Sequence, residues 1–384
     1  MIPLSVPNLK GNELSYVTEA LRTEWVSTAG SFVTRFELEM MQYLNVKGTL
    51  ALQSGTAGIH LALILAGVSS KDEVIVPTLT FIAAVNPVKY VGAEPIFMDC
   101  DDSLNMDCDK LEQFLQQECI LTLKGLQNKI TKRIIKAVIV VHVFGNMANL
   151  ERLRDLADQY EIKLIEDATE ALGTYCTKGR YKGKFAGTIG DFGAYSFNGN
   201  KIITTGGGGM LTARDISSLE KARYLAAQAK DNLLYYIHNE VGYNYRMTNL
   251  QAALGVAQLE KLEVFIQNKT SNYEYYFKFI KEMKDFYLLN FNPNARNNHW
   301  FYSLCIQNET VNRDTVMIQL KDNQIETRPI WQLIHSQRMY TNNQTYYIEK
   351  ANYYLERVIN LPCSSNLLTK DIDYIINVIK NCSS

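Results

Sequence analysis

The run from Ile134 to Val141, Ile-Ile-Lys-Ala-Val-Ile-Val-Val, restricts the fold of this chain more than any other feature. Continuous β-branched runs of this kind belong to strands buried on both faces, and such strands are found in parallel sheets flanked by helices. Similar apolar segments recur at 49–53, at 73–76 before Pro77, at 96–98 before the acidic 99–102, and at 162–165 before Glu166 and Asp167. Helical patterns lie between them. One begins at Ser54-Gly55-Thr56, runs through 57–65 and closes near Gly67. An earlier one follows Gly11-Asn12-Glu13 to Leu21, with Asn12 as the expected cap. The alternation from about residue 45 to 250 predicts an α/β fold with a mostly parallel sheet covered on both faces. After Leu250 the texture changes: a long helical pattern over 251–263 precedes Tyr/Asn/Lys-rich segments with shorter apolar runs. The expected division is a large α/β domain over 1–250, including the N-terminal segment, and a smaller C-terminal α+β domain over 251–384, linked through that helix.

The bulk properties narrow the function classes. A length of 384 residues exceeds one simple core. With 47% hydrophobic and 21% charged residues, long disordered tracts are not expected. Lys+Arg 39 against Asp+Glu 40 gives a net charge of −1 with no basic block, so no nucleic-acid partner is expected. No apolar run is long enough to span a bilayer, and residues 1–7 lack the charged and apolar regions of a signal peptide. The expectation is a cytoplasmic protein without a membrane partner. The seven cysteines are scattered, and none forms a Cys-x-x-Cys pair. The five histidines are dispersed too, and His60 sits in an apolar helical pattern as a packed residue would. No disulfide framework and no metal site is expected.

In sheets of this type, sites gather where strands end at their carboxyl termini. Lys201 stands in such a context. An aromatic and small-residue run over 190–196 ends at Ser196, a turn of Asn198, Gly199 and Asn200 delivers the lysine, and Gly206 to Gly209 follow. A lysine so placed can form a Schiff base with an aldehyde, the serine can hold a phosphate, and four glycines let a flat ring lie against backbone. The plain alternative is a surface lysine in a glycine-rich loop. Asp167, at the end of a buried strand, needs a partner; a pyridinium N–H would serve, as would a helix cap or a structural ion pair. The Ser54-Gly55-Thr56 turn is an anion site by its free N–H groups and helix dipole, or simply a cap. Phe81 can stack on a ring or fill the core. Asn244 and Arg246 can meet phosphate or substrate anion, or form an ordinary polar turn.

Taken in order, several pieces resemble the DegT/DnrJ/StrS family of pyridoxal-phosphate-dependent nucleotide-sugar aminotransferases. They are Ser54-Gly55-Thr56-Ala57, Pro77-Thr78-Leu79-Thr80-Phe81, His142-Val143-Phe144-Gly145, Glu166-Asp167-Ala168, Gly190-Asp191-Phe192-Gly193, Ser196 to Lys201, and Gly242 to Arg246. The resemblance implies an aspartate-aminotransferase-like (fold type I) architecture with pyridoxal 5′-phosphate as cofactor. It implies that Lys201 carries the cofactor and shuttles a proton, and that Asp167 pairs with the ring nitrogen. Phe81 stacks, and Gly55, Thr56 and Ser196 hold the phosphate. Asn198 and Glu170 lie near the cofactor in the same scheme. Asn244 reaches the phosphate in a partner subunit's site, making a homodimer with shared active sites. Glu170 stands where many relatives carry Gln or His, and Gly207 where many carry Glu.

Residues 25–30, Glu170-Ala171-Leu172-Gly173 and the stretch from Ile325 to Trp331 followed by His335 resemble the UDP-N-acetylbacillosamine subgroup. The implied reaction moves an amino group from L-glutamate to C4 of a nucleotide-linked 4-keto-6-deoxy sugar, a UDP-linked N-acetyl sugar, for a surface glycan. Lys184, Arg246, Arg328 and His335 are the candidate substrate contacts. Two rivals remain on the same scaffold. Sugar dehydratases replace the lysine with histidine, whereas this chain keeps Lys201. A non-catalytic regulatory protein has no use for Lys201 and Asp167.

Overall fold

The computed structural model describes residues 1–232 and 234–382. Its central sheet contains Ile134–Val141 with the bounds that the sequence predicts. Ala137, Ile139 and Val141 face one hydrophobic cluster, and Val138 and Val140 face another. This two-sided burial explains why the run shows no polar alternation.

Across the sheet the order is Leu50–Leu52, Gly209–Ala213, Phe192–Ser196, Lys163–Asp167, Ile134–Val141, Asp72–Pro77, Glu94–Met98 and Thr345–Tyr346. The pairings from Phe192–Ser196 through Thr345–Tyr346 are all parallel, and Gly209–Ala213 runs antiparallel to both of its neighbours. The register Val141↔Asp167↔Ala194 sets the strand ends side by side. The carboxyl ends of Leu50–Leu52, Asp72–Pro77, Lys163–Asp167 and Phe192–Ser196 therefore share one edge. The fold is mixed α/β with a mostly parallel central sheet.

A second, antiparallel sheet has the order Phe286–Leu288, Tyr302–Ile306, Val358–Leu361, Arg328–Pro329. Its Tyr302, Leu304, Val358 and Leu361 belong to the same apolar cluster as one face of the central sheet. Between Arg328–Pro329 and Val358–Leu361 the chain returns to the central sheet, where Thr345–Tyr346 adds an edge strand against Phe97 and Met98.

Two local expectations are corrected. Asn12 stands at the N-cap position of Glu13–Arg22, but its side chain makes no capping bond. Its Nδ2 donates to Glu260 instead (2.8 Å), and the Gly11 N–H donates to Glu13 (2.6 Å). The helical pattern over 251–263 is two helices, Asn249–Leu259 and Leu262–Ile280. Good helix formers fill the join, so the break comes from tertiary contacts. Glu260 accepts from Asn12, Tyr16 and Arg35 of the N-terminal helices.

Candidate functional site

A cavity of about 810 Å³ opens at the shared strand edge. Nine of the sequence-predicted residues line it: Gly55, Thr56, Phe81, Asp167, Glu170, Ser196, Asn198, Lys201 and Arg328. Each of the first eight follows or ends a segment of the central sheet, so strand order alone gathers them.

The helix Gly55–Leu65 begins at the cavity. Ser54 caps it by accepting from Ala57 N–H (3.1 Å), so Ser54 has the plain cap role. The N–H groups of Gly55 and Thr56 lie in the first turn, which has no intrahelical acceptor, at the positive end of the helix dipole. A Cβ at Gly55 would come within 2.7 Å of Thr169 and 3.1 Å of Ser196, so glycine lets this helix start sit against the Ser196 strand end. The cup formed by Gly55, Thr56 and Ser196 has the donors that a phosphate requires.

Lys201 closes a turn by donating its N–H to Asn198 O (3.0 Å). Its side chain is 12% exposed, and Nζ lies 3.6 Å from Glu170 Oε1. Glu170 is buried, and its Oε2 accepts from Phe144 N–H (2.8 Å). Phe144 holds a left-handed backbone (φ 57°), which aims that N–H at the carboxylate. Burial pushes the Glu170 carboxyl up to about 7, against the opposing pull of the Lys201 charge and the Phe144 N–H. Asp167 is 4% exposed and accepts from Thr169 N–H (3.0 Å). Burial raises its pKa as well; the Thr169 bonds and the charges of Lys201 and His142 work the other way.

Two buried carboxyl groups thus share the cavity with the Lys201 amine. A cation placed beside Asp167 would relieve its burial, and the protonated ring nitrogen of pyridoxal phosphate is such a cation. An anion cup at one end, an unmatched carboxylate within and a reachable amine fit that cofactor. Glu166, next to Asp167, has a different task. It is fully buried, pairs with His142 (2.9 Å) and accepts from Gly187 and Ile189 N–H groups (2.7 Å each).

Four candidates lie outside the cavity lining. His335 is held by Thr78, through Nδ1 and Thr78 Oγ1 (2.6 Å), and so docks its segment on the end of Asp72–Pro77. Lys184 borders a separate hollow with Asn45, Val46 and Lys47. Asn244 is exposed and bridges Ala227. Arg246 bridges Leu52, and its buried Nε has no hydrogen-bond partner among the described residues.

Other lining residues were given no role from the sequence, although Trp331 ends the stretch from Ile325 that the subgroup resemblance rests on. Trp300 presents its ring to Lys201 Nζ at 4.1 Å from the centroid. Trp331 stands 6.5 Å from Phe81 and 4.8 Å from Phe144, centroid to centroid. Phe301, Asn360 and Leu4 also line the cavity. These come from remote parts of the chain, where no fixed spacing ties them to Lys201. Among the described residues, no group of three or more His, Cys, Asp or Glu is arranged to hold a metal ion. No helix there is long and apolar enough to cross a membrane.

Comparisons with known proteins bear on the family and the fold. Residues 7–380 match the model of the DegT/DnrJ/EryC1/StrS aminotransferase family. The chain is 37% identical to the putative pyridoxal phosphate-dependent aminotransferase EpsN of Bacillus subtilis, over 98% of this chain and 95% of that protein. It is 35% identical to the GDP-perosamine synthase of Escherichia coli O157:H7, over 98% and 97%. A crystal structure of a DegT DnrJ EryC1 StrS aminotransferase from Brucella abortus superposes with a TM-score of 0.87 at 25% identity, covering 96% of this chain and 95% of that one.

Proposed function

Because the chain belongs to the DegT/DnrJ/EryC1/StrS aminotransferase family, and so is a pyridoxal-phosphate-dependent sugar aminotransferase, we propose that it moves an amino group from L-glutamate to C4 of a nucleotide-linked 4-keto-6-deoxy sugar destined for a surface glycan. The observation that carries this reading is the meeting of Lys201, Asp167 and the Gly55–Thr56–Ser196 cup around one cavity.

Bound there, pyridoxal phosphate supplies an electron-withdrawing ring that stabilises negative charge on the substrate carbon. The chain's residues do the rest. Gly55, Thr56 and Ser196 hold the phosphate. Asp167 keeps the ring nitrogen protonated, and Phe81 covers a ring face. Lys201 Nζ would hold the aldehyde end and, once displaced from it by the incoming amine, would carry a proton between the substrate carbon and the cofactor. Asn198 and Glu170 border the ring. Arg328 lines the cavity with its guanidinium paired to Glu326 (2.6 Å), and it exchanges that carboxylate for a substrate anion. Arg246, outside the lining but with a buried Nε that has no hydrogen-bond partner among the described residues, serves as a second anion contact. Asn244 acts in the site of a partner subunit, so the smallest active unit is a homodimer.

The sugar donor is a UDP-linked N-acetyl sugar in this reading. A second reading, a GDP-linked sugar, is favoured by relatives named GDP-perosamine synthase at 35 and 36% identity. Incubating the holoenzyme with glutamate and a panel of UDP- and GDP-linked 4-keto sugars, read by mass spectrometry, decides between them. Lys201→Ala should lower turnover at least about a thousand-fold, since it removes both the anchoring amine and the proton carrier. Full turnover by that variant would overturn the assignment of Lys201.

A further inference from the structure

Lys201 is held at both ends by a residue far away in sequence. The indole Nε1–H of Trp300 donates to Asn200 O (2.8 Å), fixing the turn just before the lysine. The face of the same indole lies 4.1 Å from Lys201 Nζ, the one aromatic face on that amine among the described residues. Trp300 itself is 3% exposed and cannot swing aside. Its backbone N–H donates to Asn298 Oδ1 (3.0 Å). Asn298 Nδ2 donates in turn to Glu170 O (2.8 Å) and Leu172 O (2.9 Å). One fully buried amide therefore fixes Trp300 relative to Glu170, the two groups that flank the lysine's charge.

We propose that Trp300 is a positioning residue for Lys201, holding the free amine inside the cavity by its ring face and the 198–201 turn by its Nε1–H. This rests on the reading of Lys201 as the transaminating amine. A ring face attracts an ammonium without accepting a conventional hydrogen bond from it. The amine is thereby kept in place while its N–H groups stay available for proton transfer. A carboxylate or amide at the same point would engage those donors.

Two variants separate the two contacts. Trp300→Phe keeps a ring face and loses the Nε1–H; Trp300→Leu loses both. In cofactor-free protein carrying ¹³C at lysine Cε, the Lys201 signal is the one missing from Lys201→Arg. Ring current should displace that signal upfield of the other lysines in the natural protein. The displacement should persist in part in Trp300→Phe and vanish in Trp300→Leu. In the holoenzyme, the glutamate half-reaction at saturation should slow about ten-fold in Trp300→Leu, with KM for glutamate held within about two-fold. Trp300→Phe should stay within about three-fold of the natural rate. If the leucine variant does not fold, Trp300→Met removes the ring in its place. An undisplaced Lys201 signal in an active enzyme overturns this proposal alone, as does a ringless variant with the natural rate. A displaced signal in a chain inert toward glutamate overturns the aminotransferase reading beneath it.

Discussion

Burial keeps the Glu170 carboxyl neutral up to about pH 7, well above its ordinary value of 4.5. Between those two values the folded chain holds a proton that the unfolded chain has released. Stability therefore falls as pH rises through that window and stays lower above it. The full span corresponds to on the order of 3 kcal/mol, because each tenfold change in proton affinity is worth about 1.4 kcal/mol. Glu170→Gln removes the titration while its amide oxygen can still accept from Phe144 N–H. Urea unfolding of cofactor-free protein should show the glutamine variant gaining on the natural chain by about 2–3 kcal/mol between pH 5 and pH 8. Parallel pH profiles for the two proteins would contradict a carboxyl held neutral by burial. The same pressure acts on Asp167, whose pKa is also raised by burial. The cationic ring proposed beside Asp167 would offset that cost of burial.

At the scale of elements, the glycine run separates what packing demands from what it only permits. A Cβ at Gly209 would fall 2.3 Å from Ser54 C and 2.5 Å from Gly55 N, both backbone atoms. Gly209–Ala213 could not then lie against the start of the helix that forms the anion cup. A Cβ at Gly207 would meet nothing nearer than Gln251 at 3.9 Å. Gly209→Ala should cost about 2 kcal/mol or more in urea unfolding, whereas Gly207→Ala should stay within about 1 kcal/mol. Equal losses at the two positions would show that the close approach at Gly209 is not what requires glycine. Much of this level is legible in sequence. Strands such as Ile134–Val141 are buried on both faces, and that burial is written into composition. Lys201, Asp167 and Ser196 could be found because each follows a strand end or a tight turn. Trp300 and Asn298 could not, and neither could the task of the Phe144 N–H, although Phe144 stands in a matching piece. They reach Lys201 or Glu170 only through the packing of the C-terminal segments on the sheet, or through a left-handed backbone, and neither leaves a spacing to read. The break after Leu259 was hidden for the same reason, since Glu260 is held by residues some 225–250 positions earlier.

For the whole molecule, one chain leaves Asn244 outside its own cavity, after a segment that carries exposed apolar side chains. Leu234, Tyr235, Tyr236 and Val241 are each at least 70% exposed on the segment leading to it. An exposed cluster of this kind commonly marks a protein contact, and a second copy of the chain is the partner that the shared-site proposal requires. If Asn244 serves its partner's cavity, Lys201 and Asn244 of one working site come from different chains. Lys201→Ala and Asn244→Ala proteins should then each be impaired alone. Mixed, unfolded and refolded together in equal amounts, they pair at random. Half of the dimers are mixed, and each of these holds one site with both residues intact, so activity should recover to about a quarter of the natural value. If both residues of a working site came from one chain, no pairing could restore it. Activity no higher than the average of the separate variants would therefore rule out the exchange of Asn244 between subunits.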